Sequence, residues 1–283
     1  ASVYRLTFVD AEETQRDAVV RCHGDVDYAR NNQLAAQEFA LVGVLYELGA
    51  GVPQPLYLGD ERQTLGREFA IYRFIEGSVR SAASYSLPHL TEMGRWLANF
   101  HCLDQAEIRR RFPLAPLPRQ AVQQGLRAGF TALDGEIFEP QVRDFLAVQP
   151  APVPSGPPVL LHGDYWSGNL IWRNDTIVAV IDWEDFGVGD AFADLACARL
   201  ELLWTTSEEA VEFFTHRYVA FAKVEGAWQD TLAYWDLCAV LPFAHTLEAI
   251  SENQAERQEK RLRLQGFIER AVAQLGGKID LGA

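Results

Sequence analysis

Asp164, Asn169 and Asp182 lie in one stretch, HGDYWSGNLIWRNDTIVAVIDWEDFGVGD, which runs from His162 to Asp190. The amide stands five positions after the first carboxylate, and the second carboxylate thirteen positions after the amide. An amide oxygen and a carboxylate can share a hard divalent cation whose other positions go to water and phosphate oxygens. A carboxylate just upstream can take the proton of an attacking hydroxyl. Any one of these residues alone would be read as a loop cap. All three in order, bracketing a hairpin pattern, point to metal-assisted group transfer. Asp185 competes with Asp182 for the metal role, because it opens an Asp-Phe-Gly tripeptide of the kind that holds magnesium over a nucleotide in protein kinases.

The element that positions these residues decides between the two carboxylates. LIW and TIVAVI are rich in β-formers and flank Asn174-Asp175, a pair suited to tight reversal. With that tip, Arg173 pairs with Thr176 and Asn169 faces Val180. Period-two alternation then puts Asp182 on the face of Asn169 and Asp185 on the opposite one, roughly 10 Å further along. The expectation is that Asp182 binds metal and that the Asp-Phe-Gly is a coincidence of spelling.

Three textures organise the 283 residues. Residues 1–77 read as strands around one helix at 33–48, ended by Gly49, Gly51, Pro53 and Pro55. Residues 88–149 read as helical, interrupted by FPLAPLP at 112–118, and a Pro-rich loop at 149–158 leads into the stretch above. From Asp190 the pattern is helical to about residue 276. This is an α+β plan of a small β-rich lobe and a large, mostly helical one. Acidic residues outnumber basic ones by 39 to 25, for a net charge of −14, which excludes a general affinity for nucleic acid. No run reaches the ~20 apolar residues that span a bilayer, and no leader opens the chain, so a cytoplasmic location is expected. Cys22, Cys102, Cys197 and Cys238 form no C-x-x-C pair and read as buried free thiols.

The segments HGDYWSGN and IDWEDFGVGDAFADLA resemble the signatures of the aminoglycoside phosphotransferase/choline kinase-like family, small-molecule kinases with a bilobal protein-kinase-like fold. The resemblance places H-x-D-x-x-x-x-N on His162, Asp164 and Asn169, and the later aspartates on Asp190 and Asp194. It implies Asp164 as catalytic base, Asn169 and Asp182 as Mg²⁺ ligands, His162 as a brace of the loop and Asp194 as an anchor of the following helix. Glu184 is either a supporting contact or a surface residue. Gly163 stands where protein kinases usually carry Arg, and only about seven residues follow Asp182 before the next helical run, so a small acceptor is expected rather than a peptide.

Helix 33–48 carries Leu34, Leu41, Leu45 and Leu48 at heptad-like spacing, with Glu38 in the missing position of the stripe. A carboxylate there needs a partner, and Arg21 in AVVRC is the expected one, standing where the family has Lys. By resemblance, residues 73–77 form the hinge, with the Arg73 carbonyl and Ile75 amide meeting the nucleotide base. The domain reading is a nucleotide-binding lobe at 1–77 and a helical lobe at 78–283, carrying loop 162–169, metal segment 181–190 and acceptor helices. The opening ASVYRLTF resembles the strand after the glycine-rich loop, so the chain is expected to begin downstream of that loop. Ser167 lacks a G-x-S-x-G elbow, which argues against a hydrolase. His101 reads as packing at a helix end. Glu201, Trp204, Glu208, Glu209, Trp235, Asp236, Glu248 and Glu252 suit a cationic acceptor. The function expected is transfer of the γ-phosphoryl of ATP, or GTP, to a small-molecule hydroxyl, such as that of an aminoglycoside. The alternatives are a choline or amino-alcohol kinase, or a catalytically impaired nucleotide- or metabolite-binding protein of the same fold.

Overall fold

A computed structural model describes residues 1–9, 12–25, 29, 31–59, 68–114, 138–150, 152–241, 247 and 250–281. Among them the strands are β1 (Ser2–Val9), β2 (Gln15–Cys22), β3 (Pro55–Gly59), β4 (Phe69–Arg73), β5 (Ser78–Val79), β6 (Val159–Leu161), β7 (Leu170–Arg173), β8 (Thr176–Val180) and β9 (Gly187–Gly189). The helices are α1 (Leu34–Glu47), α2 (Leu87–His101), α3 (Gln105–Arg111), α4 (Glu139–Val148), α5 (Phe192–Thr205), α6 (Glu208–Ala222), α7 (Gln229–Val240) and α8 (Gln254–Gln274). The described residues fall into two compact units, one within 1–80, 103–114 and 168–185, the other within 81–102, 115–167 and 186–283.

The first unit is built on an antiparallel sheet of order β1-β2-β4-β3. Helix α1 buries Leu34, Leu41 and Leu45 together with Glu38, as its leucine spacing predicts. A second sheet of order β5-β7-β8 completes the unit. Gly77 lets the chain pass close to β7, since a β-carbon there would meet Ile171 Cγ2 and the Trp172 carbonyl oxygen at 2.6 Å each.

The β7–β8 register corrects one expectation. Arg173 pairs with Thr176 and Trp172 with Ile177 as predicted, but Ile171 pairs with Ala179 and Leu170 with Val180. Val178 is therefore an extra residue on β8. Asn169 lies opposite Ile181, whose N–H donates to the Asn169 carbonyl at 3.0 Å, and not opposite Val180. One added residue inverts the facing of everything beyond it, so unbroken alternation would have turned Asp182 away from the face of Asn169. Alternation stops in any case at Asp182, whose φ is +67°. Asp is among the few residues that visit this left-handed region readily.

The second unit is helical, with β6 pairing antiparallel to β9. Helix α2 packs on α6, and α5 on α7. Met93, Leu97, Leu195, Phe214 and Leu264 are fully buried there. The α+β content expected from the sequence is present. No helix among the described residues is long and apolar enough to cross a membrane. None of the four cysteines is in a disulfide, but only Cys22 and Cys238 are buried as expected; Cys197 is half-buried, and Cys102 is exposed where α2 ends.

Candidate active site

In the first unit, β2 delivers Arg21 near its end and His23 just beyond, on the same side by period two. Both are buried, as is Glu38 from α1. The expected Arg21–Glu38 pair is present, with Nε 3.4 Å from Glu38 Oε2. The same guanidinium donates to Asp182 Oδ1, and to Glu184 Oε2 at 2.7 Å. His23 was not singled out in the sequence. Its Nε2 lies 2.8 Å from Glu38 Oε2 and its Nδ1 3.3 Å from Glu184 Oε2. Glu38 Oε1 also accepts from the Trp183 backbone N–H at 3.2 Å. The signal for His23 was available in Arg-x-His at a strand end, two cations facing one buried carboxylate.

Burial alone would favour a neutral imidazole at His23, but hydrogen bonds to Glu184 and Glu38 outweigh it and lift the pKa to about 9. The same His23 bond, helped by the Arg21 charge, holds Glu184 down at about 2. Two cations therefore face three carboxylates. Glu184, left open between contact and surface residue, is a member of this cluster.

A cleft in the same unit has apolar walls from Val19, Val42, Tyr72, Phe74, Ile171 and Ile181. Arg21, Glu38 and Asp182 also line it, and so do Arg73 and Ile75. The Arg73 N–H is taken by the Gln54 carbonyl at 2.8 Å and the Phe74 N–H by the Asp17 carbonyl at 3.2 Å. Among the described residues no group accepts from the Ile75 N–H. One apolar slot thus has a free backbone donor on its border and a cation in its lining.

In the second unit, β6 runs into the loop that starts at His162. Asp194, on the first turn of α5, accepts the His162 N–H at 2.8 Å and the Gly163 N–H at 2.9 Å, and lies 3.1 Å from His101 Nε2. Gly163 sits at φ +86°, a conformation that a β-carbon would strain, which accounts for glycine at this position. Burial would raise the Asp194 pKa, but the bond to His101 and the charges of His101 and His162 hold it below its ordinary value. His162 Nδ1 accepts the Asp164 N–H at 3.1 Å, and the Trp166 indole donates to Asp164 Oδ2 at 3.1 Å. His101 also meets the Tyr218 hydroxyl at 2.8 Å, so it braces Asp194 as well as packing its helix end. Asp190 accepts the Phe192 N–H at 3.0 Å and caps the start of α5.

The predicted residues therefore divide. Arg21, Glu38, Asp182 and Glu184 come together in the first unit with Arg73 and Ile75 beside the same cleft. His162, Asp164 and Asp194 come together in the second. Asn169, buried at the start of β7, belongs to the first unit. The donor set of Asn169 and Asp182 is oxygen only. Among the described residues no cage of three or more His, Cys, Asp or Glu side chains forms. Of the acceptor candidates, Asp236 is committed to Arg199 by bonds of 2.9 and 3.1 Å, and Glu208 pairs with Arg270 at 3.0 Å. Trp204 is buried, and Glu248 lies outside the described residues.

Residues 3–234 match the family described as APH, phosphotransferase enzyme family. The chain is 25% identical over 189 residues to chicken (Gallus gallus) acyl-CoA dehydrogenase family member 11, a match covering 60% of this chain and 23% of that protein. It is 26% identical over 168 residues to viomycin phosphotransferase of Streptomyces vinaceus, covering 56% of this chain and 58% of that one. The chain thus spans about a quarter of the length of the first of these relatives and little over half of the second. The structure of an amicoumacin kinase in complex with AMP-PNP, Ca²⁺ and Ami superposes with a TM-score of 0.63 at 15% identity, covering 95% of this chain and 86% of that one. At that identity the likeness speaks to the fold, the α+β protein-kinase-like plan expected from the sequence.

Proposed function

Because the chain belongs to the phosphotransferase enzyme family, we propose that it transfers the γ-phosphoryl group of ATP, or of GTP, to a hydroxyl of a small molecule. Amino-bearing acceptors such as aminoglycosides or choline-like alcohols are the first to test. The observation that carries this reading is the cleft of the first unit. A cleft with apolar walls that Arg21, Glu38, Asp182, Arg73 and Ile75 also line has features a nucleotide requires: walls for the base, a backbone donor for its edge, and a cation for its phosphates.

Asn169 and Asp182 would hold Mg²⁺, which supplies neutralisation of the charge on the phosphate oxygens. Arg21, held in place by Glu38, offers a planar fork to those oxygens. Asp164, its backbone tied to His162, accepts the acceptor's proton. With little covalent chemistry asked of the protein, most of the rate comes from position and charge. A cytoplasmic location goes with a nucleotide donor. Nucleotide binding without turnover is the second reading. It is favoured by the arginine at position 21, which here takes the Asp182 carboxylate for itself.

The test is Mg²⁺-dependent phosphoryl transfer from labelled ATP and GTP across aminoglycosides, choline-like alcohols, sugars, homoserine and macrolides. Turnover of one acceptor is expected. Replacement of Asp164 by Asn should lower kcat by roughly 10²- to 10⁴-fold while nucleotide binding persists. An undiminished Asp164→Asn enzyme removes the base assignment, and nucleotide binding with no turnover on any acceptor favours the second reading.

A further inference from the structure

Helix α5 meets the loop 162–167 twice. Asp194 takes the backbone N–H groups of His162 and Gly163 at the start. Glu201 meets the other end, where the Ser167 hydroxyl donates to its Oε1 at 2.9 Å. A spacing of seven residues returns to the same helix face after two turns, about 10 Å along the axis. Cys197 lies between the two, and its thiol is pushed up by burial first and then by the charges of Asp164, Asp194 and Glu201. The loop carboxylate Asp164 therefore lies in sequence between the loop residues that Asp194 and Glu201 hold, and acts with both on the Cys197 thiol.

The second contact costs stability. Ser167 is buried, and Glu201 Oε2 is shut off from solvent with no hydrogen bond. Burial lifts the Glu201 carboxyl to about 7 against the opposing effects of Ser167 and Thr205. The other charged residues that this helix buries, Asp194 and Arg199, are fully engaged with partners, and its remaining buried positions are apolar; a leucine at 201 would avoid desolvating a carboxyl group. A costly group that contacts the loop of the candidate base is placed where function, rather than packing, rewards it.

We propose that Glu201 is a positioning residue: through Ser167 it clamps the far end of the loop that Asp194 clamps at the near end, and so fixes the Asp164 carboxylate. The proposal rests on the phosphoryl-transfer reading only for the reaction that the clamped loop serves. Residues of the nucleotide cleft all belong to the other unit, so the clamp acts on turnover and leaves nucleotide binding alone.

The experiment compares Glu201→Leu, Glu201→Gln, Ser167→Ala and the Leu/Ala double variant in the full chain. It uses steady-state kinetics on an acceptor from the panel above and hydrogen exchange of the peptide spanning 162–167. Glu201→Leu and Ser167→Ala are each expected to lower kcat roughly 10- to 100-fold, with the nucleotide KM within about twofold. The double variant should be no worse than the poorer single one. Glu201→Gln, whose carbonyl still accepts from Ser167, should recover most of the loss, and amides 165–167 should exchange faster in Glu201→Leu. Unchanged kcat, multiplicative single effects, or a rise in nucleotide KM that matches the fall in kcat would each overturn the proposal. If no acceptor is turned over, the phosphoryl-transfer reading fails on its own. The exchange measurement still decides the clamp, because unaltered exchange in Glu201→Leu overturns it.

Discussion

Glu38 meets Arg21, His23 and the Trp183 amide at once, and the cost of burying that carboxylate is offset only while the cations stay charged. Arg21 does so at any accessible pH. His23 does not. Its pKa rises from 6.5 in the unfolded chain to about 9 in the folded one. Between those values the folded state holds a proton that the unfolded state has lost, so stability falls as pH rises through that window. Below 6.5 the contribution is complete, and above 9 it is gone. His23→Gln should therefore destabilise most at pH 6, by about 3 kcal/mol if it behaves as other broken buried pairs do, and much less at pH 9.5. Urea unfolding at the two pH values measures the gap. A gap independent of pH would mean that His23 contributes by shape and not by charge.

At the scale of elements, the β7–β8 hairpin shows how local spacing both guides and misleads. The tip at Asn174-Asp175 and the stripe that buries Glu38 follow from neighbouring residues, and both were legible in the sequence. So was the order of His162, Asp164 and Asn169. The bulge at Val178 was not, because the residues after Thr176, IVAV, are apolar on both faces and include no polar residue, Gly or Pro to mark a change of parity. The His23–Glu184 contact was equally hidden, since its partners lie far apart in sequence and only tertiary packing joins them. Arg199–Asp236, which removes one acceptor candidate, was hidden for the same reason. Deleting Val178 tests what aims Asp182. It restores an unbroken register while leaving the tip intact, and shifts Asp182 by one position against β7. Nucleotide affinity in the presence of Mg²⁺, read by calorimetry, should fall more than about tenfold. Unaltered affinity would mean that the left-handed turn at Asp182 sets the direction of the carboxylate without help from the bulge.

Across the whole molecule, the proposed function asks a chain of net charge −14 to bind an anion. The Arg21 cluster does not reverse that balance, since its two cations face Glu38, Asp182 and Glu184. A nucleotide's phosphates would thus be drawn to Arg21 against a local surplus of one negative charge. A divalent cation brought with the phosphates would change the sign and, if held by Asp182 as proposed, would give that carboxylate a partner other than Arg21. The expectation is that ATP alone and Mg²⁺ alone each leave thermal stability nearly unchanged, whereas the two together raise it. At a free concentration about one hundred times Kd the gain is about 2.7 kcal/mol, or roughly 4 to 5 °C in Tm for a chain of this length. Arg21→Met should abolish the shift and Asp164→Asn should keep it, because only the first residue lines the cleft. If the two units melt separately, the shift belongs to the transition of the unit that contains β2 and α1. An equal shift with ATP in the presence of EDTA would show that Arg21 suffices for the phosphates, and would remove Asp182 from the metal role.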